Sequence, residues 1–224
     1  VTGCTSNQKT GPMLQVLILR TDVAPHEARK QGLDVAVCGF CPNREGCYVQ
    51  THQAPLSVWK AYKRGIYKNI SPEDMAGHAI RWGAYGDPSL IPFELVQRAN
   101  AVASRWTGYT HQWAKPWGEQ FKGIFMASVE TQKQELRLAA QGWGTFRAGL
   151  RDKSDMGGAT ECAAERSGLS CFACGACDGR KAAVFIAAHG PRAKSIPAEM
   201  LAKRRLTVVQ SAPKSAKTIP EAFP

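Results

Sequence analysis

Residues 79–113, AIRWGAYGDPSLIPFELVQRANAVASRWTGYTHQW, read as a strand, a helix and a second strand, and this unit decides the fold class. Ala79 to Tyr85 is a short apolar run stopped by the turn sequence Gly86-Asp87-Pro88. Pro92 to Arg105 then carries Phe93, Val96, Ala99 and Ala103 on one side at helical spacing, and Trp106 to Trp113 returns as a strand. Strands alternating with helices in this way imply a parallel sheet with right-handed crossovers.

The same alternation extends in both directions. Leu14 to Val23 is a buried-strand candidate, and Pro55 to Gly65 is a helix with Leu56, Trp59 and Tyr62 at helical spacing behind Pro55. Phe121 to Val129 is expected as a strand, Gln132 to Gly142 as a helix closed by its glycine, Trp143 to Gly149 as a short strand and Ala182 to His189 as a last apolar strand. Five or six such units make an α/β fold with an open, barrel-like layer, assigned to residues 1–190 as one domain. At 224 residues and 44% hydrophobic content the chain can bury a proper core, and no apolar run approaches the ~20 residues a membrane helix needs.

Sites in parallel α/β folds collect at the carboxyl ends of the strands. The groups there are Asp87, His111, Glu130 and His189, which are the catalytic candidates. Taken singly each has an ordinary role open to it; Asp87, in Gly-Asp-Pro, also suits a turn or a helix cap.

Seven of the eight cysteines fall into two compact sets. One is Cys38-x2-Cys41-x5-Cys47, the other Cys162-x8-Cys171-x2-Cys174-x2-Cys177. Short gaps let a tight turn aim successive thiolates at a common point, the reason that zinc and iron–sulfur sites both reuse such steps. The remaining thiol, Cys4, is the candidate that brings the first set to four. Disulfides fit poorly: disulfide-rich domains are small and secreted, whereas this chain shows no signal peptide, so a reducing compartment such as the cytoplasm is expected. The consecutive steps Cys171-x2-Cys174-x2-Cys177 of the second set resemble the runs of cluster proteins more than the paired knuckles of zinc sites. An iron–sulfur cluster is therefore expected for that set, with zinc as the alternative.

Lys and Arg number 29 against 18 Asp and Glu, a net charge of +11, which makes anionic partners, nucleic acid above all, plausible. Residues 191–224 hold seven of these basic groups, including Lys203-Arg204-Arg205, together with five prolines. They read as an irregular basic tail, either a solvated arm or a contact for phosphates. Phosphate-binding Gly-rich loops, the nucleophile elbow of serine hydrolases and the His-Glu-x2-His zinc motif are all absent, which argues against nucleotide hydrolysis and serine hydrolase chemistry.

In order along the chain stand GCTSNQKTG, CGFCPNREGCY, IRWGAYGD, TGYTHQW, ASVET and CFACGACDGRKAAVFIAAHG. This succession resembles the phage "gene product 88" family and, more distantly, radical-SAM-like proteins, over most of residues 1–190. The resemblance implies an incomplete (β/α) barrel of the radical-SAM type, a viral protein with a [4Fe–4S] cluster near the first strand. Cys38, Cys41 and Cys47, followed by the aromatic Tyr48, match the radical-SAM loop in position, but their spacing departs from the usual Cys-x3-Cys-x2-Cys. In that superfamily an open iron chelates S-adenosylmethionine; with Cys4 as a fourth ligand the cluster would be closed to it. Three functions follow as expectations. The first is an iron–sulfur protein whose clusters are structural or redox-active. The others are a radical-SAM-type enzyme modifying nucleic acid or protein, and a zinc-dependent nucleic-acid-binding protein.

Overall fold

The computed structural model describes residues 1–4, 7–150, 152–180 and 182–189, so the basic tail and its expected phosphate contacts lie outside the described residues. The protein is a mixed α/β structure with two mostly parallel sheets. The first has the order β1 (Thr2–Cys4), β2 (Met13–Leu17), β3 (Ala79–Tyr85), β4 (Arg105–Thr107). The second has the order β5 (Tyr109–Thr110), β6 (Met126–Val129), β7 (Thr145–Gly149), β9 (Ala183–Ala187), β8 (Thr160–Glu161). Every pairing is parallel except that of β1 with β2.

Gly108 is where one sheet passes into the other. It separates β4 from β5, its carbonyl accepts from Met126 N at 2.9 Å, and its N–H donates to Cys177 O at 3.3 Å. A Cβ here would lie 2.5 Å from the Phe125 ring, so only glycine lets the chain run this close to the core. The expected strand from Trp106 to Trp113 is thus two short strands. The expectation for Phe121 to Val129 also needs correction, since only Met126–Val129 is extended. Phe125 N bonds Phe121 O in a helical turn, and the two rings stack at 5.1 Å, which draws the segment into the core instead. Leu14 to Val23 likewise shortens to Met13–Leu17. Among the described residues no closed barrel forms.

The helices begin where the sequence supplies starts. α3 (Ala54–Lys63) carries Pro55 in its first turn, and α4 (Phe93–Val102) follows Pro92 with Glu94 in its first turn. α5 (Gln132–Ala140) opens on a capping box: Thr131 Oγ1 accepts from Gln134 N at 3.1 Å while Gln134 Oε1 accepts from Thr131 N at 3.2 Å. Two short helices, α1 (Pro25–Lys30) and α2 (Val35–Cys38), follow β2, and α6 (Ala163–Ser167) and α7 (Cys171–Cys174) follow β8. None of these four was legible from periodicity, because each is under two turns long.

Strand alternation divides the sheets into two faces. Ile80 and Trp82 of β3 enter the main core with Val96 and Ala99 of α4 and with Phe121 and Phe125. Ala127 and Val129 of β6 meet Leu138 of α5 and Trp143 in a second cluster. On this helix-covered side Arg147 of β7 is 1% exposed and bonds Glu135 of α5 at 2.9 Å, a buried ion pair that ties helix to sheet. The alternate residues, among them Arg81, Tyr85, Tyr109, Phe146 and Ile186, face the other way and line a cavity of about 920 Å³.

Candidate metal centre

Both cysteine sets reach this cavity: Cys38, Cys41 and Cys47 line it, and so do Cys162 and Cys171. The first set is carried by α2 and the loop after it. Asp87 N, just beyond β3, donates to Val37 O at 2.7 Å, which pins the last turn before Cys38 to the carboxyl end of the strand. Gly86 makes this approach possible: with φ +83 it sits in the left-handed region, and an added Cβ would stand 2.8 Å from Val37 O. Farther along the loop, the Arg44 guanidinium bonds both carboxylate oxygens of the buried Asp34, at 2.9 and 3.1 Å. Arg44 also exchanges hydrogen bonds with Arg29, each side chain donating to the other's carbonyl.

The second set lies on a segment held by backbone rather than by burial. Cys171 N donates to Lys9 O at 2.9 Å and Phe172 N to Thr10 O at 3.0 Å, while Cys162 N donates to Phe185 O at 2.7 Å. Arg105 adds a bond to Phe172 O, and Lys9 pairs with Glu165 at 2.6 Å. Neither α6 nor α7 contributes a buried residue.

All eight cysteines are free thiols, and every one except Cys4 is at least partly buried. Burial pushes the Cys38 thiol up to about 12, with Asp34, Cys47 and Asp87 adding to the effect. Cys41 is pushed up for the same reason, then by Cys47, Cys38 and Glu130. In the second set burial pushes Cys177 up to about 12 and raises Cys171, and in both the neighbouring thiols of that set add to the rise. Members of each set are therefore near enough to sense one another's charge. Among the described residues no three His, Cys, Asp or Glu side chains converge closely enough to hold a single ion.

Cys4 is not brought to the first set. It lies beside Leu14 at the start of β2, with its Sγ 3.9 Å from Nδ1 of His78, the residue before β3. Cys38, Cys41 and Cys47 follow the opposite, carboxyl ends of these strands. The expectation that Cys4 completes the set is corrected by this strand direction.

Three of the four strand-end candidates do assemble. Asp87 is buried and accepts from Ser89 N, Ser89 Oγ and His111 N at 3.1, 2.8 and 2.8 Å, so it caps the turn after β3 and holds the end of β5. His111 places Nδ1 3.5 Å from Cys41 Sγ and Nε2 3.5 Å from Glu130 Oε1, with the Asn43 amide 3.3 Å from Nε2. Burial lowers the His111 pKa, disfavouring the imidazolium, and Asp87 opposes that shift. His189 stands apart from this group. It lines the cavity beside Tyr48, ring centroids 5.5 Å apart.

Arg81 and Tyr109 are not among the site residues expected from the sequence. Both line the cavity, and Tyr109, whose pKa burial raises well above the usual phenol value, neighbours Cys177 and Cys171. A signal existed for Arg81: it is the one charged residue in AIRWGAY, a strand that otherwise reads as apolar. Comparison of the chain with protein-family models, curated proteins and solved structures finds no match.

Proposed function

We propose that this chain is an iron–sulfur protein on an incomplete (β/α) barrel of the radical-SAM type, its cluster or clusters serving a structural or redox role, as the resemblance to the phage gene product 88 family implies. The observation that carries the reading is the opening of both cysteine sets onto one cavity. The donor set fits such a group in its chemistry. Soft thiolates select iron–sulfur clusters and zinc, and Cys162, Cys171, Cys174 and Cys177 supply four thiols on one segment that would have to draw together to share a metal. Cys38, Cys41 and Cys47 supply three more. A cluster bound there would bring one-electron redox chemistry to the cavity wall.

What this chain's own residues contribute is enclosure and charge. Arg81, inside the cavity, pulls the Cys171 thiol down against the burial that raises it, so a thiolate there is partly compensated. The apolar Phe146, Ala148 and Ile186 line the same space. Low polarity and a nearby cation are both levers on the potential of a cluster.

A second reading, an enzyme acting on a small molecule beside the metal, is favoured by the cavity's size, which falls in the range of ligand pockets, about 300–1,000 Å³. Anaerobic, iron-replete expression with iron, acid-labile sulfide and zinc quantified per chain tests the first reading. Brown protein with iron and sulfide in similar amounts is expected, and zinc without sulfide overturns it. Saturable, metal-dependent binding of S-adenosylmethionine would move the second reading ahead.

A further inference from the structure

We infer that His111 is a metal ligand and shares a single metal with Cys41. The inference rests on the reading that the first cysteine set binds metal, and it replaces Cys4 as the fourth member of that set.

Two ligands of one tetrahedral metal, at bond lengths of about 2.3 Å to sulfur and about 2.0 Å to nitrogen, stand roughly 3.5 Å apart. Nδ1 of His111 and Sγ of Cys41 are 3.5 Å apart. The other ring nitrogen carries the complementary feature. Metal-bound histidines commonly donate their second N–H to a carboxylate, which fixes the tautomer and aims the free lone pair at the metal. Nε2 of His111 faces Glu130 Oε1 at 3.5 Å, and a lone pair there would repel the carboxylate, so the proton belongs on Nε2 and the lone pair on Nδ1. The Asn43 amide nitrogen lies 3.3 Å from the same ring nitrogen, and with that amide turned over its oxygen would accept from Nε2–H. The ring is held from behind as well, since His111 N donates to the buried Asp87 carboxylate at 2.8 Å.

The spacing also selects the kind of centre. In a four-iron cluster each iron takes one protein ligand, whereas a zinc ion takes up to four and each iron of a two-iron cluster takes two. A cysteine and a histidine at shared-metal distance therefore fit zinc or a two-iron cluster, and Cys38 and Cys47 would have to move in to complete the shell, since no three such side chains converge among the described residues. A four-iron cluster at this set does not agree with the spacing. The second set, with four thiols, carries no such constraint.

Zinc titration of the reduced full chain, followed by X-ray absorption of the loaded protein, tests this without sulfide or activity. The wild type is expected to bind two zinc equivalents with an imidazole contribution to the ligand shell. His111→Ala is expected to bind one equivalent; His111→Cys should restore the second with the imidazole contribution gone. Two equivalents in His111→Ala, an imidazole shell that survives His111→Cys, or an all-sulfur shell in the wild type would each overturn the inference. Should both variants fail to fold, a chain with His26, His52, His78 and His189 changed to Gln leaves His111 as the last of the five histidines. An imidazole shell in that chain supports the inference and its loss overturns it. Cys38→Ser and Cys47→Ser separate the two levels: if they keep both equivalents, the metal reading of this set fails, and if they lose one while His111 variants do not, only the role of His111 fails.

Discussion

The Arg81 guanidinium donates from Nη2 to the Tyr48 hydroxyl at 2.8 Å, joining the inner face of β3 to the residue that follows Cys47. The same guanidinium lowers the pKa of the Cys171 thiol, so one cation in the cavity joins the residue after Cys47 to a member of the second set. Nη1 of Arg81 also makes a long contact to Gln15 Oε1, at 3.5 Å.

Replacing Arg81 with Leu should therefore weaken both metal sets together. We expect metal per chain to fall by more than half in Arg81→Leu. Tyr48→Phe, which loses one hydrogen bond worth about 1 kcal/mol, should lower only the share held by the first set. Metal analysis after gel filtration checks this, and full loading of Arg81→Leu would show that the cation serves neither set.

Cys4→Ser should leave metal content unchanged, whereas Cys41→Ser should lower it by the share of one site. Cys4 sits beside His78 at the amino ends of β2 and β3, away from the thiols that follow the carboxyl ends. Equal losses in the two variants would show that the amino-terminal strand relocates on metal binding.

The segment bearing the second set should be stapled by its metal. It holds Gly157, Gly158, Gly168, Gly175 and Gly179, and its two short helices bury no residue, so burial contributes little against the entropy of ordering it. Structural metal sites contribute ~10 kcal/mol or more of apparent binding free energy. Stripping the metal, or Cys174→Ser, should expose sites between Arg151 and Lys181 to limited proteolysis. Mass spectrometry of the fragments locates the cuts, and an unchanged digestion pattern would show that the backbone bonds to Lys9, Thr10 and Phe185 suffice.

Arg147→Met should cost about 3–5 kcal/mol, because it leaves the Glu135 carboxylate buried without its partner. Arg147 also donates to Met156 O at 2.8 Å and lies over the Phe185 ring, so the loss extends to the loop after β7. The double variant Arg147→Met with Glu135→Leu should recover most of the loss, as urea unfolding would show. Equal destabilisation in single and double variants would place the cost in packing instead of charge.

Much of the scaffold was readable from local pattern. Ala79–Tyr85 is a strand with the expected bounds, and α3, α4, α5, β7 and β9 lie within a few residues of theirs, because each has either a full apolar period or a marked start or stop. The misreadings share a cause. Phe121 and Phe125 are apolar enough to continue β6, yet their rings stack on each other and Phe121 meets Phe93 edge to face, a preference that depends on a partner about thirty residues away. Gly108 breaks a continuous-looking strand because Phe125 occupies the space where a side chain would stand.

For the site, sequence by itself determined which atoms are on offer: two sets of thiols at short spacing, and polar groups at strand ends. Spacing fixes how near neighbouring thiols on one loop must be, since a chain of a few residues cannot separate them far. It does not fix what lies across from them. That Cys41 meets His111, that His111 meets Glu130, that Arg81 reaches Tyr48 and that Cys4 is left at the far end beside His78 are contacts between residues 19 to 74 positions apart, decided by strand direction and register. Parallel pairing carries the ends of β3, β5 and β6 to one side of the sheets, and a single antiparallel strand, β1, carries Cys4 to the other.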